Sequence, residues 1–329
     1  MKKELKKIHL AGFTTKSGAY YPILPLSYQV FGKPLGTAPV ILVNHALTGN
    51  SQVTGATGWW NAIVGNGKVI DTNVFSVIAF NIPGNGYDGF YIKNYQDFVA
   101  ADTARIFIRG LNYLKIKKLY AIIGGSVGGG IAWEMLAQAP DLTRFLIPIA
   151  SDWKSTDWLI ANCAVQEQIL NNSKNPVHDA RMHAMLCYRS PESLKHKFHR
   201  GKTSESRYFD VEKWLFHHGK KLDDRFRLPA YKLMNQLLKT INATSGVQTI
   251  EEVVTRSKAH IYIIAIDSDV FFTAYENKDT WRLLRQNSET VFYNEIRSIH
   301  GHDAFLIEHQ QVTQLLEPIF KPLEKTHEN

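Results

Sequence analysis

Residues 119–139 read LYAIIGGSVGGGIAWEMLAQA, and at their centre Gly124-Gly125-Ser126-Val127-Gly128 joins an apolar run to a segment of helical character without a break. Leu119–Ile123 predicts a buried strand and Ile131–Ala139 a helix. A G-x-S-x-G between strand and helix is a nucleophile elbow. Glycines on either side of the serine permit a strained turn that lifts the hydroxyl above the sheet. The five letters alone also fit an ordinary Gly-rich turn; the strand before them and the helix after them are what single out Ser126 as a nucleophile.

Working outward, the same strand and helix rhythm extends on both sides. Upstream, Ile8–Phe13 and Leu26–Phe31 predict two early strands, Pro39–Val43 and Phe75–Phe80 two short buried ones, and Phe98–Leu114 a helix with Asp97 near its start. Gly58-Trp59-Trp60 reads as the rim of a pocket. Downstream, Phe145–Ile149 is another strand. From Asp152 to about Thr255 helical patterns replace strands, at Asp157–Leu170, Val177–Tyr188, Val211–Phe216 and Tyr231–Asn242. The sheet resumes at His260–Ile266, followed by a helix around Tyr275–Arg285, a strand at Thr290–Tyr293 and a terminal helix. Alternating strands and helices predict an α/β protein with a mostly parallel sheet. The expected organisation is a core over 1–151, a helical lid over 152–255 inserted between core strands, and a second core segment over 256–329.

A nucleophilic serine needs a base, an acid to orient that base, and amide donors for the oxyanion. Asn44-His45-Ala46-Leu47-Thr48-Gly49 follows the strand Pro39–Val43, the position from which such a fold supplies its second oxyanion amide. The donors are therefore expected to be the backbone N–H groups of Leu47 and of Val127, the residue after the nucleophile. His45, so close to a strand end, reads as structural. Asp267-Ser268-Asp269 comes directly after His260–Ile266 and Gly301-His302-Asp303 after the last strand, which gives the chain order Ser, Asp, His of an α/β-hydrolase triad. Asp267 and Asp269 compete for the orienting acid, and His300 and His302 for the base.

The bounds agree with a globular enzyme. In 329 residues, 44% hydrophobic and 12% aromatic, there is enough apolar material for a full core. Two cysteines, Cys163 and Cys187, cannot make a disulfide framework, and the start of the chain lacks the apolar run of a signal peptide, so a reducing cytoplasm is expected. No stretch approaches the ~18 apolar residues of a spanning helix, and no membrane association is expected. The net charge of +8 is spread among acidic neighbours, which reads as solvated surface and not as a nucleic-acid site. Cysteine and histidine show no zinc-ligand spacing, and no metal is expected.

The residues now quoted resemble the homoserine O-acetyltransferase family of α/β-hydrolase enzymes. The resemblance runs over nearly the whole chain. It rests on Asn44–Gly49, Gly58-Trp59-Trp60, Gly65-Asn66-Gly67-Lys68 with Ile70-Asp71-Thr72, Gly124-Gly125-Ser126, Ser268-Asp269 with Phe272, and Gly301–Leu306. In the lid it rests on Ala180-Arg181-Met182, Ala184-Met185-Leu186, Tyr188-Arg189-Ser190, Val211-Glu212, Gly219-Lys220 and Arg225-Phe226. It implies Asp269 and His302 as the triad partners of Ser126. It further implies Arg225 and Tyr231 for the carboxylate of an amino-acid acceptor and Asp303 for its ammonium group.

The implied reaction is a double displacement. Ser126 takes an acetyl group from acetyl-CoA, the co-substrate, and passes it to the hydroxyl of L-homoserine in methionine biosynthesis, with no tightly bound cofactor. A homodimer formed through the lid is also implied. Val127-Gly128-Gly129-Gly130 stands where the family has Met-Gly-Gly-Met, a shortened Pro83–Gly89 segment replaces a Gly-Ser-Thr-Gly-Pro-like one, and Arg225-Phe226-Arg227 replaces Arg-Phe-Asp. These departures spare the triad and bear on donor and acceptor. The competing readings are a carboxylester hydrolase, with water as acceptor, an acyltransferase for serine or another alcohol, and a non-enzymatic binding protein whose Ser126 takes no covalent label.

Overall fold

The computed structural model describes residues 4–203, 205–244 and 249–321. β1 (Lys6–Thr14) and β2 (Tyr20–Gly32) make an antiparallel hairpin, followed by β3 (Val40–Asn44). β4 (Val64–Gly65) and β5 (Ile70–Asp71) pair in a small sheet of their own, and β6 (Ser76–Phe80) returns to the main one. Then come α1 (Ala100–Tyr113), β7 (Leu119–Gly125), α2 (Val127–Gln138) and β8 (Thr143–Ile149). Six helices follow: α3 (Asp157–Asn172), α4 (Pro176–Tyr188), α5 (Pro191–Phe198), α6 (Asp210–Asp223), α7 (Leu228–Lys239) and α8 (Ile250–Thr255). β9 (His260–Ile266), α9 (Ala274–Arg285), β10 (Val291–Ile296) and α10 (His309–Phe320) complete the described chain.

The main sheet has eight strands in the order β1-β2-β6-β3-β7-β8-β9-β10, antiparallel at β1, β2 and β6 and parallel from β6 onward. Every residue of β3 and β6 is buried, as continuous apolar strands covered on both faces must be. Alternation along β7 splits its side chains between two apolar clusters: Ile122 joins Ile131 and Trp133 on one face, while Ala121 and Ile123 join Val43 and Ile147 on the other. In register, Gly124 of β7 lies beside Asn44 of β3 on one side and Pro148 of β8 on the other, so three strand ends converge where Ser126 follows.

The helices between β8 and β9 sit where the lid was expected, with two differences. The chain leaves and re-enters the core through a clasp: Lys154 and Asn242 form an antiparallel bridge, Ser155 N–H donates to Ile241 O (2.9 Å) and Ala243 N–H to Trp153 O (2.9 Å). Beyond it, α8 packs on α2 and α9, so the lid ends near Ala243, short of the expected 255. The polar helix α5 gave no apolar period to read, but proline opens it and the Ser190 side chain caps it, accepting from Ser193 N–H. Trp60 is also placed differently from expectation: it is 1% exposed, in the core, and donates its indole N–H to Phe305 O at 3.3 Å. Among the described residues no helix is long and apolar enough to cross a membrane.

Two buried carboxylates hold the lid's ends. Glu134 of α2 accepts from Asn242 N–H at the clasp (2.9 Å). Asp152, just after β8, accepts from Trp153 N–H, Asn277 Nδ2 and Thr280 Oγ1 at 2.8–3.1 Å. Burial pushes each up to about 7 in spite of these donors. Native Asp152 thus keeps its proton well above the pH at which the unfolded chain releases it. The native state binds the extra proton, and stability falls as pH rises from about 4 to about 7. Asp152→Asn is expected to flatten that fall by on the order of 1 kcal/mol per pH unit, read as melting temperature against pH for both proteins. Parallel curves would show that Asp152 is ionised across the window.

Candidate active site

Ser126 sits at φ +57° and ψ −130°, a backbone region that a residue with a side chain rarely occupies. Its N–H is pinned to Ile149 O (2.9 Å), and its carbonyl accepts from Gly129 and Gly130 in the first turn of α2. The turn closes because glycine lines it. A Cβ on Gly124 would lie 2.5 Å from Gly128 C, and one on Gly128 would lie 2.6 Å from Asn44 O. Gly128 O in turn accepts from Asn44 Nδ2 (3.1 Å), which ties the elbow to the loop after β3. Along that loop Leu47 follows; Val127 opens α2. Neither backbone N–H donates to a protein acceptor among the described residues, which leaves both available to an oxyanion.

The expected acid and base lie in the two loops beyond β9 and β10. His302 lies in a 3-10 turn, Gly301–Leu306, and its Nδ1 is 2.7 Å from Asp269 Oδ2. Asp269 is buried, and its other oxygen accepts from Phe271 N–H (2.7 Å) and Phe272 N–H (3.0 Å). A carboxylate so held fixes which histidine nitrogen carries the proton, leaving Nε2 free for proton transfer. The ring is caged by Phe272, stacked at 5.7 Å, and by Phe271, Phe305 and Tyr188 at 5.2–6.0 Å. The rival residues are elsewhere. Asp267 is exposed and accepts from Ser298 N–H, and His300 lies against Arg189 and Ser193. His45 is a buried strut: Nδ1 meets Ala46 O at 2.8 Å and Nε2 accepts from Ile82 N–H at 3.1 Å. Burial lowers its pKa to about 4, so it is neutral.

Ser126 and His302 face one pocket of about 70 Å³, lined also by Leu47, Thr48, Arg181, Tyr188, Asp303 and Phe305. No hydrogen bond joins the serine hydroxyl to His302 here, although both meet the same space. Asp303 is desolvated, which raises its pKa, while Arg181, His302 and Arg189 act against the rise. Arg225 lies just outside, its guanidinium donating to Thr48 O (3.0 Å) on the loop after β3. Tyr231 is placed behind this wall. It is 1% exposed, its hydroxyl has no protein partner, and it lines a separate cavity of about 10 Å³ with Leu47, Tyr188 and Gln166. Arg181 and Tyr188 were given no role in the sequence reading. Their spacing of seven puts them on one face of α4, where the Arg181 guanidinium stands 5.3 Å over the Tyr188 ring. No group of three or more His, Cys, Asp or Glu that could hold a metal occurs among the described residues.

Residues 39–162 match the family described as alpha/beta hydrolase fold. A homoserine O-acetyltransferase of Symbiobacterium thermophilum is 32% identical, over 94% of this chain and 92% of that protein. Among solved structures, esterase E22 superposes with a TM-score of 0.86 at 19% identity, covering 97% of this chain and 100% of the other. A homoserine O-acetyltransferase from Bacillus anthracis superposes with 0.84 at 18%, covering 96% and 98%. At such identities the structural likenesses speak to the fold alone.

Asp269→Asn is expected to lower acyl-enzyme turnover by on the order of ~10⁴, because the amide no longer holds the productive tautomer. Asp267→Asn, altering an exposed loop contact, should cost less than about tenfold. Hydrolysis of p-nitrophenyl acetate by the two variants decides between them, and a reversed order would move the acid to Asp267.

Proposed function

The chain belongs to the homoserine O-acetyltransferase family of α/β-hydrolase-fold enzymes, and we propose that it moves an acetyl group onto the hydroxyl of L-homoserine through an acyl-enzyme on Ser126. The observation that carries this reading is the charge around the Ser126 pocket. Asp303 adjoins His302 inside it, and Arg225 is docked on the oxyanion loop at its edge. An acid and an arginine so placed suit the ammonium and carboxylate ends of an amino acid whose hydroxyl must approach the seryl ester.

In the first half-reaction, His302 Nε2 accepts the Ser126 proton as Oγ attacks the thioester carbonyl of acetyl-CoA. The oxyanion takes hydrogen bonds from the Leu47 and Val127 amides. The C–S bond breaks, and His302 returns its proton to the departing thiolate. In the second, the homoserine hydroxyl gives its proton to His302 and attacks the acyl-enzyme carbonyl. The serine leaves reprotonated, and O-acetyl-homoserine is released. Asp269 balances the charge on His302 in both steps. Tyr231, set behind Leu47 and Tyr188, supports the wall against which the acceptor rests. The proposed setting is the cytoplasm, in methionine biosynthesis, where the free thiols of Cys163 and Cys187 stay reduced. The proposed assembly is a homodimer through the lid, whose Trp158, Val165 and Leu186 each expose about half their surface.

Arg225→Ala and Asp303→Ala should still form the acetyl-enzyme but pass it to homoserine roughly tenfold to a thousandfold more slowly, with hydrolysis taking a larger share. Rapid-quench measurement of each half-reaction tests this; a crippled first half with a normal second half would assign both residues to the donor. For the assembly, Val165→Asp is expected to shift the protein from dimer to monomer in sedimentation velocity. A wild-type monomer would remove the lid dimer from the account.

A further inference from the structure

Ser126 is not the only strained residue at this end of the sheet. Its N–H bonds Ile149 O at 2.9 Å, and the residue after that partner, Ala150, is fully buried at φ +47°, with its own N–H on Ile264 O at 2.8 Å. An alanine in the left-handed region stays there only because its surroundings hold it. Ser151 follows and packs on the elbow helix: a Cβ on Gly129 would lie 2.6 Å from Ser151 Cβ. The stretch Ile149–Ser151 thus touches the nucleophile's segment twice, at the Ser126 amide and at the first turn of α2, with the strained Ala150 between the two contacts.

One side chain fixes the far side of this stretch. Asn277, near the start of α9, is 1% exposed and donates from Nδ2 to Ser151 O (3.0 Å) and to Asp152 Oδ2 (3.1 Å). Turning the amide over would set its oxygen against two acceptors, so its orientation is settled. Its Oδ1 has no hydrogen-bond partner among the described residues. For packing alone such a residue is a poor choice, because an apolar side chain of similar shape would leave no buried acceptor unsatisfied. Both of its donors, by contrast, are spent where the chain leaves β8. The segment leading into α9 carries the expected acid: Asp269 accepts from Phe271 and Phe272 N–H, Phe272 stacks on His302, and Thr273 is the N-cap, accepting from Asn277 N–H at 3.3 Å. Asn277 therefore ties the strand end that pins Ser126 to the segment that presents Asp269, across 126 positions of the chain.

We propose that Asn277 is a positioning residue for acyl transfer: it touches no substrate, and through Ser151 and Asp152 it sets the placement of Ser126 relative to Asp269 and His302. The assignment rests on the acyl-enzyme reading given above. Thr280, one turn further along α9, bonds the same Asp152 through Oγ1 (3.0 Å) but makes no hydrogen bond to Ser151. Comparing the two residues separates support of Asp152, which they share, from placement of the nucleophile, which belongs to Asn277.

The test sets Asn277→Leu against Thr280→Val in the full-length protein, each new residue close in shape to the old one and each removing one donor from Asp152. Both should lower the melting temperature to a similar extent. Only Asn277→Leu should slow acylation of Ser126 by p-nitrophenyl acetate, roughly tenfold or more at saturation, with the half-saturating concentration within about twofold, because a misplaced nucleophile loses rate and not binding. Thr280→Val should stay within about twofold in both. Amide exchange at Ser126, read by mass spectrometry, should quicken in Asn277→Leu alone. Equal losses of rate in the two variants, a changed half-saturation without a fall in rate, or an undiminished rate in Asn277→Leu would each overturn the proposal. If Asn277→Leu does not fold, Asn277→Ser, whose shorter side chain cannot serve both acceptors, carries the same comparison. If wild-type Ser126 takes an acetyl group from neither p-nitrophenyl acetate nor acetyl-CoA, the acyl-enzyme reading fails, and amide exchange at Ser126 then decides the tether by itself. Faster exchange in the Asn277 variant alone upholds it; equal exchange in the two variants removes it.

Discussion

The backbone of Ser126 is the constraint on which the rest depends. A serine at φ +57° is costly, on the order of 1–3 kcal/mol, and persists only where surrounding structure over-determines it. Here it is over-determined from three sides: the amide bond to Ile149 O, the first turn of α2 on the serine carbonyl, and the hydrogen bond between Gly128 O and Asn44. Ile149 and Asn44 stand at the ends of the parallel strands β8 and β3, so the strain is supported by the sheet as well as by α2. The same crowding that needs glycine at 124 and 128 brings the Leu47 loop against the start of α2. The strained Ser126 and the unbonded Leu47 and Val127 amides are therefore consequences of one packing arrangement.

Much of this was legible in the sequence for a stated reason. Strands buried on both faces leave an unbroken apolar run, which is why His260–Ile266 was read to the residue, and a strained serine demands glycine neighbours that can be seen directly. The order Ser, Asp, His also survives in one dimension. What could not be read were relations that exist only across the fold. Two aspartates two residues apart look alike until one is seen to be buried against His302 and the other exposed. Trp60 looked like a pocket rim because an aromatic pair beside glycine carries no sign of its contact with Phe305, 245 positions later. Likewise Tyr231 and Arg225 belong to adjacent segments of the lid, yet a buried helix face takes one into a closed cavity while the other reaches the loop after β3.

Closure is the physical difference between transferring an acyl group and hydrolysing it. Water needs little room, so a transferase gains nothing from the triad alone; its selectivity comes from the space around the ester and from the charges that hold the acceptor. In this fold the space is limited by Tyr188 and Arg181 of the lid on one side and by Leu47 and Phe305 of the core on the other, leaving about 70 Å³. His302 is walled by the aromatic rings of Phe271, Phe272 and Phe305. Arg181 is what links closure to charge: it packs on the Tyr188 ring, bounds the Ser126 pocket, and stands in the field of Asp303. A lid helix that moved away from the core would carry off the pocket wall and this cation together. The Tyr188 wall and the Arg181 cation are thus held by the same helix, so loss of one entails loss of the other.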